Sequence, residues 1–346
     1  MKYDLIAYIG RFQPFHNGHK AVVEYVLKNA ERVALVIGSD GGAPNPKNPW
    51  TTAERITMIR SCFPVDEAQR LVFIGQRDYP YNHDRWLAEV SSKISGAAMS
   101  KFKADPYKIG LVGLNKDDTS FYLRHFPQFE SVPFTPEKII NATDIRYVYF
   151  DVNPDAPYTA SVYEDIPEEV LAYLELYMNR CAKTYNEIAE EWQYYEGYQA
   201  SWASAPYDPT FVTCDAVVTN AAHVLLVTRK DRPGKGLLAL PGGFVHKGKT
   251  LKGSMLEELK EETKIKVPES VLRGSIKSHR EFDNPTRSLR GRVITHAYHI
   301  ALDEPTLPKV RGGDDAAKAR WVPLGQIQRD QLFEDHFDII ETMVGV

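Results

Sequence analysis

The sequence predicts a doubly wound α/β parallel sheet followed by a separate α+β domain. Three observations carry this expectation. Residues 2–111 alternate short apolar, β-prone runs with helical stretches. Residues 166–198 then become charged and aromatic at helical spacing. Beyond residue 211 strand patterns dominate, and one long helix stands among them. Length agrees, since 346 residues at about 150 per domain make two domains.

Taken in order, 2–9 reads as a strand, a loop rich in Gly, Pro and His follows, and 18–29 reads as a helix. The run RVALVIG at 32–38 closes a parallel crossover of ordinary length. Further expectations are a helix at 52–61, a strand at 71–74, a helix at 84–95 and a strand at 108–111. The stretch 166–198 reads as two helices that close the first domain. SWASAPYDPT at 201–210, with two prolines, reads as the linker. Strands are expected at 211–219, 223–229, 292–300 and 319–322, with a helix at 251–263. The expected division is therefore 1–200 (core 1–150, closing helices 151–200), a linker, and 211–346.

Composition narrows the function classes. Hydrophobic residues at 43% allow a real core in each domain. With 42 Lys+Arg against 46 Asp+Glu the net charge is −4, so no global basic field speaks for nucleic acid. No apolar run approaches the ~20 residues of a membrane span. Met1-Lys2-Tyr3-Asp4 is unlike a secretory signal. Three scattered cysteines, Cys62, Cys181 and Cys214, suit a reducing compartment. A cytoplasmic protein with neither nucleic-acid nor membrane partner is expected.

Residues 10–19 read Gly10-Arg11-Phe12-Gln13-Pro14-Phe15-His16-Asn17-Gly18-His19. They fall at a strand-to-helix junction, where an open parallel sheet binds ligands and a helix offers free N–H groups to phosphate. His16 and His19 can face one phosphate, Arg11 adds a fixed charge, and Gly10 and Gly18 allow close backbone approach.

This segment resembles the HxGH nucleotidyltransferases, which are Rossmann-like, and in particular the archaeal-type nicotinamide mononucleotide adenylyltransferases. Asn48-Pro49-Trp50-Thr51 with Glu54-Arg55 resembles that family's loop and helix after the second strand. Asn82 and Trp86 fall where the family places its nicotinamide-binding Asn and Trp. Asn141-Ala142-Thr143-Asp144-Ile145-Arg146 resembles its late motif, in which the hydroxyl and the Arg grip ATP phosphates. The resemblance implies in-line attack of the mononucleotide phosphate on ATP, carried by positioning and charge neutralisation. His16, His19, Arg11 and Arg146 would stabilise phosphate with Thr143 assisting, and Mg²⁺ would arrive with ATP. Lys116 and Asp117 resemble a further substrate-side loop.

In the second half, Leu240-Pro241-Gly242-Gly243 leads toward a helix on which Glu258, Glu261 and Glu262 stand at i, i+3 and i+4. These span an arc of about 100°, so the carboxylates can converge. Thr250 is the expected N-cap, and Leu251, Met255 and Leu259 form the packing stripe. Converging carboxylates suit Mg²⁺ or Mn²⁺. The segment resembles the Nudix box, with three departures: Lys249 replaces Glu, Glu257 replaces Arg, and Lys264 replaces Gly. If the family's Glu and Arg form an ion pair, Lys249 and Glu257 would keep it with reversed polarity. Downstream, Arg287, Arg290 and Arg292 suit the phosphates of ADP-ribose, and Asp314 and Asp315 could add a carboxylate.

Across nearly the whole chain the order of domains resembles the bifunctional nicotinamide mononucleotide adenylyltransferase/Nudix hydrolases. This implies NAD synthesis in the first domain and metal-dependent hydrolysis, usually of ADP-ribose, in the second. Two alternatives stand beside it: nicotinate mononucleotide as acceptor, and a second domain that only senses nucleotides. The expected partners are ATP, nicotinamide mononucleotide and ADP-ribose, and a homo-oligomer is open.

Overall fold

In the computed structural model, which describes residues 2–99, 107–113, 125–151, 162–313 and 316–345, the chain divides into two units, Met1–Glu190 and Glu191–Val346. The residues Asn115, Lys116, Asp117, Asp314 and Asp315 lie outside the described residues.

The first unit begins β1 (Tyr3–Gly10), α1 (Asn17–Asn29), β2 (Ala30–Ile37), α2 (Thr52–Ser61), α3 (Val65–Ala68), β3 (Leu71–Gly75) and α4 (His83–Met99). It continues with β4 (Ile109–Val112), β5 (Glu130–Val132), α5 (Ala142–Phe150) and α6 (Glu168–Arg180). The next helix, α7 (Ala182–Ala200), runs past the division point. All five strands pair in parallel in the order β3-β2-β1-β4-β5. Strand order reverses between β1 and β4, so the crevice beyond the end of β1 is the position where such sheets bind ligands. β1 and β2 read as apolar runs because both faces are covered; Leu5, Ala7, Ala34 and Val36 pack with Val90 and Ile94 of α4.

The second unit contains β6 (Thr210–Asn220), β7 (His223–Arg229), β8 (Leu238–Ala239), β9 (Gly242–Phe244), α8 (Leu251–Thr263) and α9 (Glu269–Gly274). β10 (Ile276–Phe282), β11 (Arg292–Ala301), β12 (Ala316–Pro323) and α10 (His336–Val344) complete it. The sheet order is β10-β11-β6-β7-β12, with β8 on β7 and β9 on β6. Among the described strand pairs of this sheet only β11 and β6 run parallel, which makes the sheet mixed. Met255, Leu256 and Leu259 of α8 pack on Cys214, Ala216 and Val218 of β6. Lys264 ends α8 at φ 47 in the left-handed region, the conformation for which Gly is usual. No described helix is long and apolar enough to cross a membrane.

Candidate functional site

In the first unit, Gly10 ends β1 and accepts the Gly38 N–H at 2.9 Å, tying the loops after β1 and β2 together. α1 starts where the chain leaves the sheet. His16 is its N-cap: His16 Nδ1 accepts the His19 N–H at 3.3 Å, and His19 Nδ1 accepts the His16 N–H at 3.4 Å. The two rings stack with centroids 3.6 Å apart. Because both Nδ1 atoms accept, each neutral ring carries its proton on Nε2. Phe12 and Phe15 pack on His19 at 4.9 and 5.7 Å. Gly18 leaves room for the ring, since a Cβ there would lie 3.2 Å from the His16 ring and push it by a few tenths of an ångström.

Two buried arginines bracket this loop. Arg146 donates from Nε to the Pro46 carbonyl, from Nη1 to the Gln13 and Ala142 carbonyls, and from Nη2 to Thr143 Oγ1. Four of its five N–H groups are thus used in holding the histidine loop to α5, and one Nη2–H remains. Arg55 donates to the carbonyls of Arg11 and Gly38, both at 2.7 Å. Arg11 is exposed at its side chain, yet desolvation by its surroundings lowers its pKa, an effect that the nearby Asp78 partly offsets.

Sequence reading missed Lys47. Its loop is shaped by Asn45, whose Oδ1 accepts the N–H groups of Lys47 and Asn48 at 2.9 and 3.0 Å. Burial, and then the neighbouring Arg11, push the Lys47 ammonium down to about 8. Arg11, Lys47 and Arg146 therefore crowd three positive charges beside the histidine loop. Asn82 and Trp86 have local tasks. Asn82 Oδ1 accepts the Arg85 N–H at 3.0 Å at the start of α4, while Trp86 packs on the sheet core with the His83 ring stacked at 6.0 Å.

In the second unit, the Gly-rich turn forms β9, paired with β6 at Asp215, Cys214 and Thr213. Thr250 caps α8 by accepting the Gly253 N–H. Glu258 lies directly over Gly243, where a Cβ would stand 2.9 Å from its carboxyl carbon, so a side chain there would have to displace the end of Glu258. Glu262 Oε2 accepts the Gly242 N–H at 2.9 Å. Burial, with Glu258 and Asp215 nearby, lifts the Glu262 carboxyl to about 8 despite that bond. Glu261 is half-buried on the same helix. Among the described residues these three glutamates do not form a group with all ligand oxygens within 4.8 Å of one another.

Sequence reading also missed His246. Its Nδ1 donates to Glu257 at 2.7 Å and its Nε2 to Glu258 at 2.8 Å, which only an imidazolium can do at both nitrogens. Glu257, then Glu258, hold its pKa above the ordinary histidine value. Lys249 Nζ meets the same Glu257 carboxylate, so the ion pair expected with reversed polarity is present. The residues fit a hard divalent cation: an anionic helix face, a carboxylate resting on Gly243, and Glu262, whose carboxyl burial and then the neighbouring Glu258 and Asp215 raise to about 8.

The three arginines separate. Arg287 is buried and makes a two-bond contact with Asp335, Nε to Oδ2 at 2.9 Å and Nη2 to Oδ1 at 2.8 Å. Arg290 reaches Glu334 at 3.7 Å and lies 5.5 Å over the Phe244 ring. Arg292 remains half-exposed against Asp283.

Comparison with known proteins divides along the same line. A Cytidylyltransferase-like family model matches residues 7–96 and a NUDIX domain model matches 209–343. A nicotinamide/nicotinic acid mononucleotide adenylyltransferase of Acinetobacter baylyi is 32% identical over 43% of this chain and 77% of its own. An ADP-ribose pyrophosphatase of Methanocaldococcus jannaschii is 33% identical over 38% of this chain and 70% of its own. A bifunctional NMN adenylyltransferase/ADP ribose pyrophosphatase from Francisella tularensis, crystallised with AMP and a Mn ion, superposes with TM-score 0.88. It is 32% identical, and the match covers 99% of both chains.

Proposed function

This chain belongs to the family of bifunctional NMN adenylyltransferase/ADP-ribose pyrophosphatases, and from that membership we propose how its two units divide the chemistry. It is an enzyme with a nucleotidyltransferase unit and a Nudix hydrolase unit. In the first, a phosphate oxygen of nicotinamide mononucleotide attacks the α-phosphorus of ATP. The bond to the β-phosphate bridging oxygen breaks, pyrophosphate leaves, and NAD forms. No protein nucleophile is involved; donors and cations stabilise the transferring phosphoryl group.

The reciprocal histidine cap carries this reading. Two Nε2–H donors, fixed by their backbone bonds, cost no reorganisation when charge develops. Arg11 and Lys47 supply positive charge. Arg146 and Thr143 hold the loops in register and present the remaining guanidinium N–H. Asn82 and Trp86 would flank the pyridine ring. That ring need not carry an amide, so nicotinate mononucleotide is the competing acceptor.

In the second unit, water would cleave the pyrophosphate of ADP-ribose to give AMP and ribose 5-phosphate. Glu258, Glu261 and Glu262 would hold Mg²⁺ or Mn²⁺, which when bound offsets pyrophosphate charge and acidifies a water. Gly242 fixes one Glu262 oxygen, and His246 with Lys249 and Glu257 orients the Glu258 side of the helix. Arg287, locked to Asp335, sets the loop from which Arg290 and Arg292 would meet the ADP-ribose phosphates. The Lys249–Glu257 contact favours a hydrolase over a nucleotide sensor without catalysis, the reading that the three departures from the box would otherwise support.

Chromatography of products tests the acceptor. With ATP and Mg²⁺, the expected result is faster NAD formation from nicotinamide mononucleotide than formation of the acid analogue from nicotinate mononucleotide. The reverse order would replace the acceptor, and no dinucleotide at all would reject the reading.

A further inference from the structure

The β10–β11 hairpin of the second unit carries a group of side chains with no part in the chemistry above. Glu281 of β10 stands directly opposite His296 of β11, and His279 stands opposite Tyr298. Side chains two apart on a strand share a face, and cross-strand partners share it too. His279, Glu281 and His296 therefore project from one face. One ligand atom from each lies within 4.8 Å of the other two. We infer that these three residues form a site for a transition-metal cation of the Zn²⁺ type.

Geometry supports the inference first. His279 Nε2 and His296 Nδ1 are 3.1 Å apart. Two nitrogens bound at about 2.0–2.1 Å to a tetrahedral ion lie about 3.3 Å from each other. A cation can thus replace the proton shared between the rings with a small displacement. The Tyr298 ring stacks on His279 at 4.5 Å and fixes its plane. The two imidazole planes lie 10° from parallel.

Donor chemistry selects the ion. Two imidazoles and one carboxylate favour Zn²⁺, Co²⁺ or Ni²⁺ over Mg²⁺, whereas the glutamates of α8 offer only hard oxygens. Three protein ligands leave a fourth position for water or a small anion. The site is separate from α8 yet related to it. His296 pairs with Cys214, and Cys214 pairs with Gly243, on which Glu258 rests. Two strand spacings, about 10 Å, separate His296 from that glycine.

The test uses the full chain, stripped with EDTA, exchanged into buffer containing about 5 mM Mg²⁺ to occupy oxygen sites, and titrated with Zn²⁺ by calorimetry and Co²⁺ by visible absorption. One Zn²⁺ per chain and a Co²⁺ ligand-field band are expected. His279→Asn and His296→Asn should each weaken binding on the order of 100-fold, and Glu281→Gln about tenfold. His279 and Glu281 are exposed, so their variants should melt with the EDTA-treated wild type. If the His296 variant fails to fold, those two decide the matter. Equal stoichiometry and affinity in wild type and the His279→Asn and Glu281→Gln variants would overturn the inference.

Discussion

His16 and His19 cap each other: each Nδ1 accepts the other's backbone N–H, at 3.3 and 3.4 Å. One pair of bonds starts a helix and sets the tautomer of the two side chains proposed above as phosphate donors. Helix stability and phosphate chemistry are therefore separable at His16. His16→Ala should lower adenylyl transfer about 100–1000-fold and stability by about 1 kcal/mol. His16→Asn, which keeps a capping oxygen, should restore the stability while activity stays low. Steady-state rates and urea unfolding read the two effects.

Lys47 should impose a pH limit. Burial beside Arg11 sets its pKa at about 8, so the side chain is charged below that pH and loses its charge above it. The kcat/KM for ATP, which reports the free enzyme, is expected to fall above about pH 8. Lys47→Arg keeps the charge at all working pH values and should flatten that limb.

As a proposed metal ligand, Glu262 would link cation binding to protons. Its folded pKa of about 8 stands above the unfolded 4.5, so between these values the folded chain holds a proton that the unfolded chain releases. The carboxyl's contribution to stability is thus present below about pH 4.5 and declines as pH rises to about 8. A cation held by Glu262 would displace the same proton. Mn²⁺ affinity should climb up to about tenfold per pH unit and level off above about pH 8. Glu262→Gln should remove the proton release measured by calorimetry in buffers of different ionisation enthalpy.

Lys249 and Glu257 are expected to behave as a unit. Lys249→Glu and Glu257→Arg should each slow ADP-ribose hydrolysis about fivefold, and the double exchange should recover most of that loss. Additive losses in the double variant would show that the contact has no part in orienting the helix.

Arg287 is a structural post. Its guanidinium is buried on Asp335, and removing one partner leaves an uncompensated buried charge. Asp335→Asn or Arg287→Met should cost about 3–5 kcal/mol in urea unfolding of the full chain. By contrast, Arg292→Ala at a half-exposed position should raise the KM for ADP-ribose with little change in stability.

Much of this was legible in the sequence because periodicity and motif spacing coincided. β1, α1 and β2 follow from apolar runs flanking the glycine–histidine loop, and α8 from a capped stripe of Leu251, Met255 and Leu259. β10 was not legible: IKSHREF buries only Phe282 fully and lines an edge, so it shows no apolar alternation. Lys47 and His246 are single polar residues in loops, and their importance arises only when Asn45 or Glu257 folds against them. Three arginines at 287, 290 and 292 look equivalent in sequence. Only the fold brings Asp335, 48 positions away, to one of them.

The most direct measurement gives the full chain ATP, Mg²⁺ and nicotinamide mononucleotide in one assay and ADP-ribose in another, using wild type, His16→Ala and Glu262→Gln. Wild type is expected to form NAD with pyrophosphate, and AMP with ribose 5-phosphate. His16→Ala should lose only the first reaction and Glu262→Gln only the second. Absence of NAD and of its acid analogue in wild type, or the loss of both reactions or of neither in a single variant, would contradict the division of chemistry between the two units.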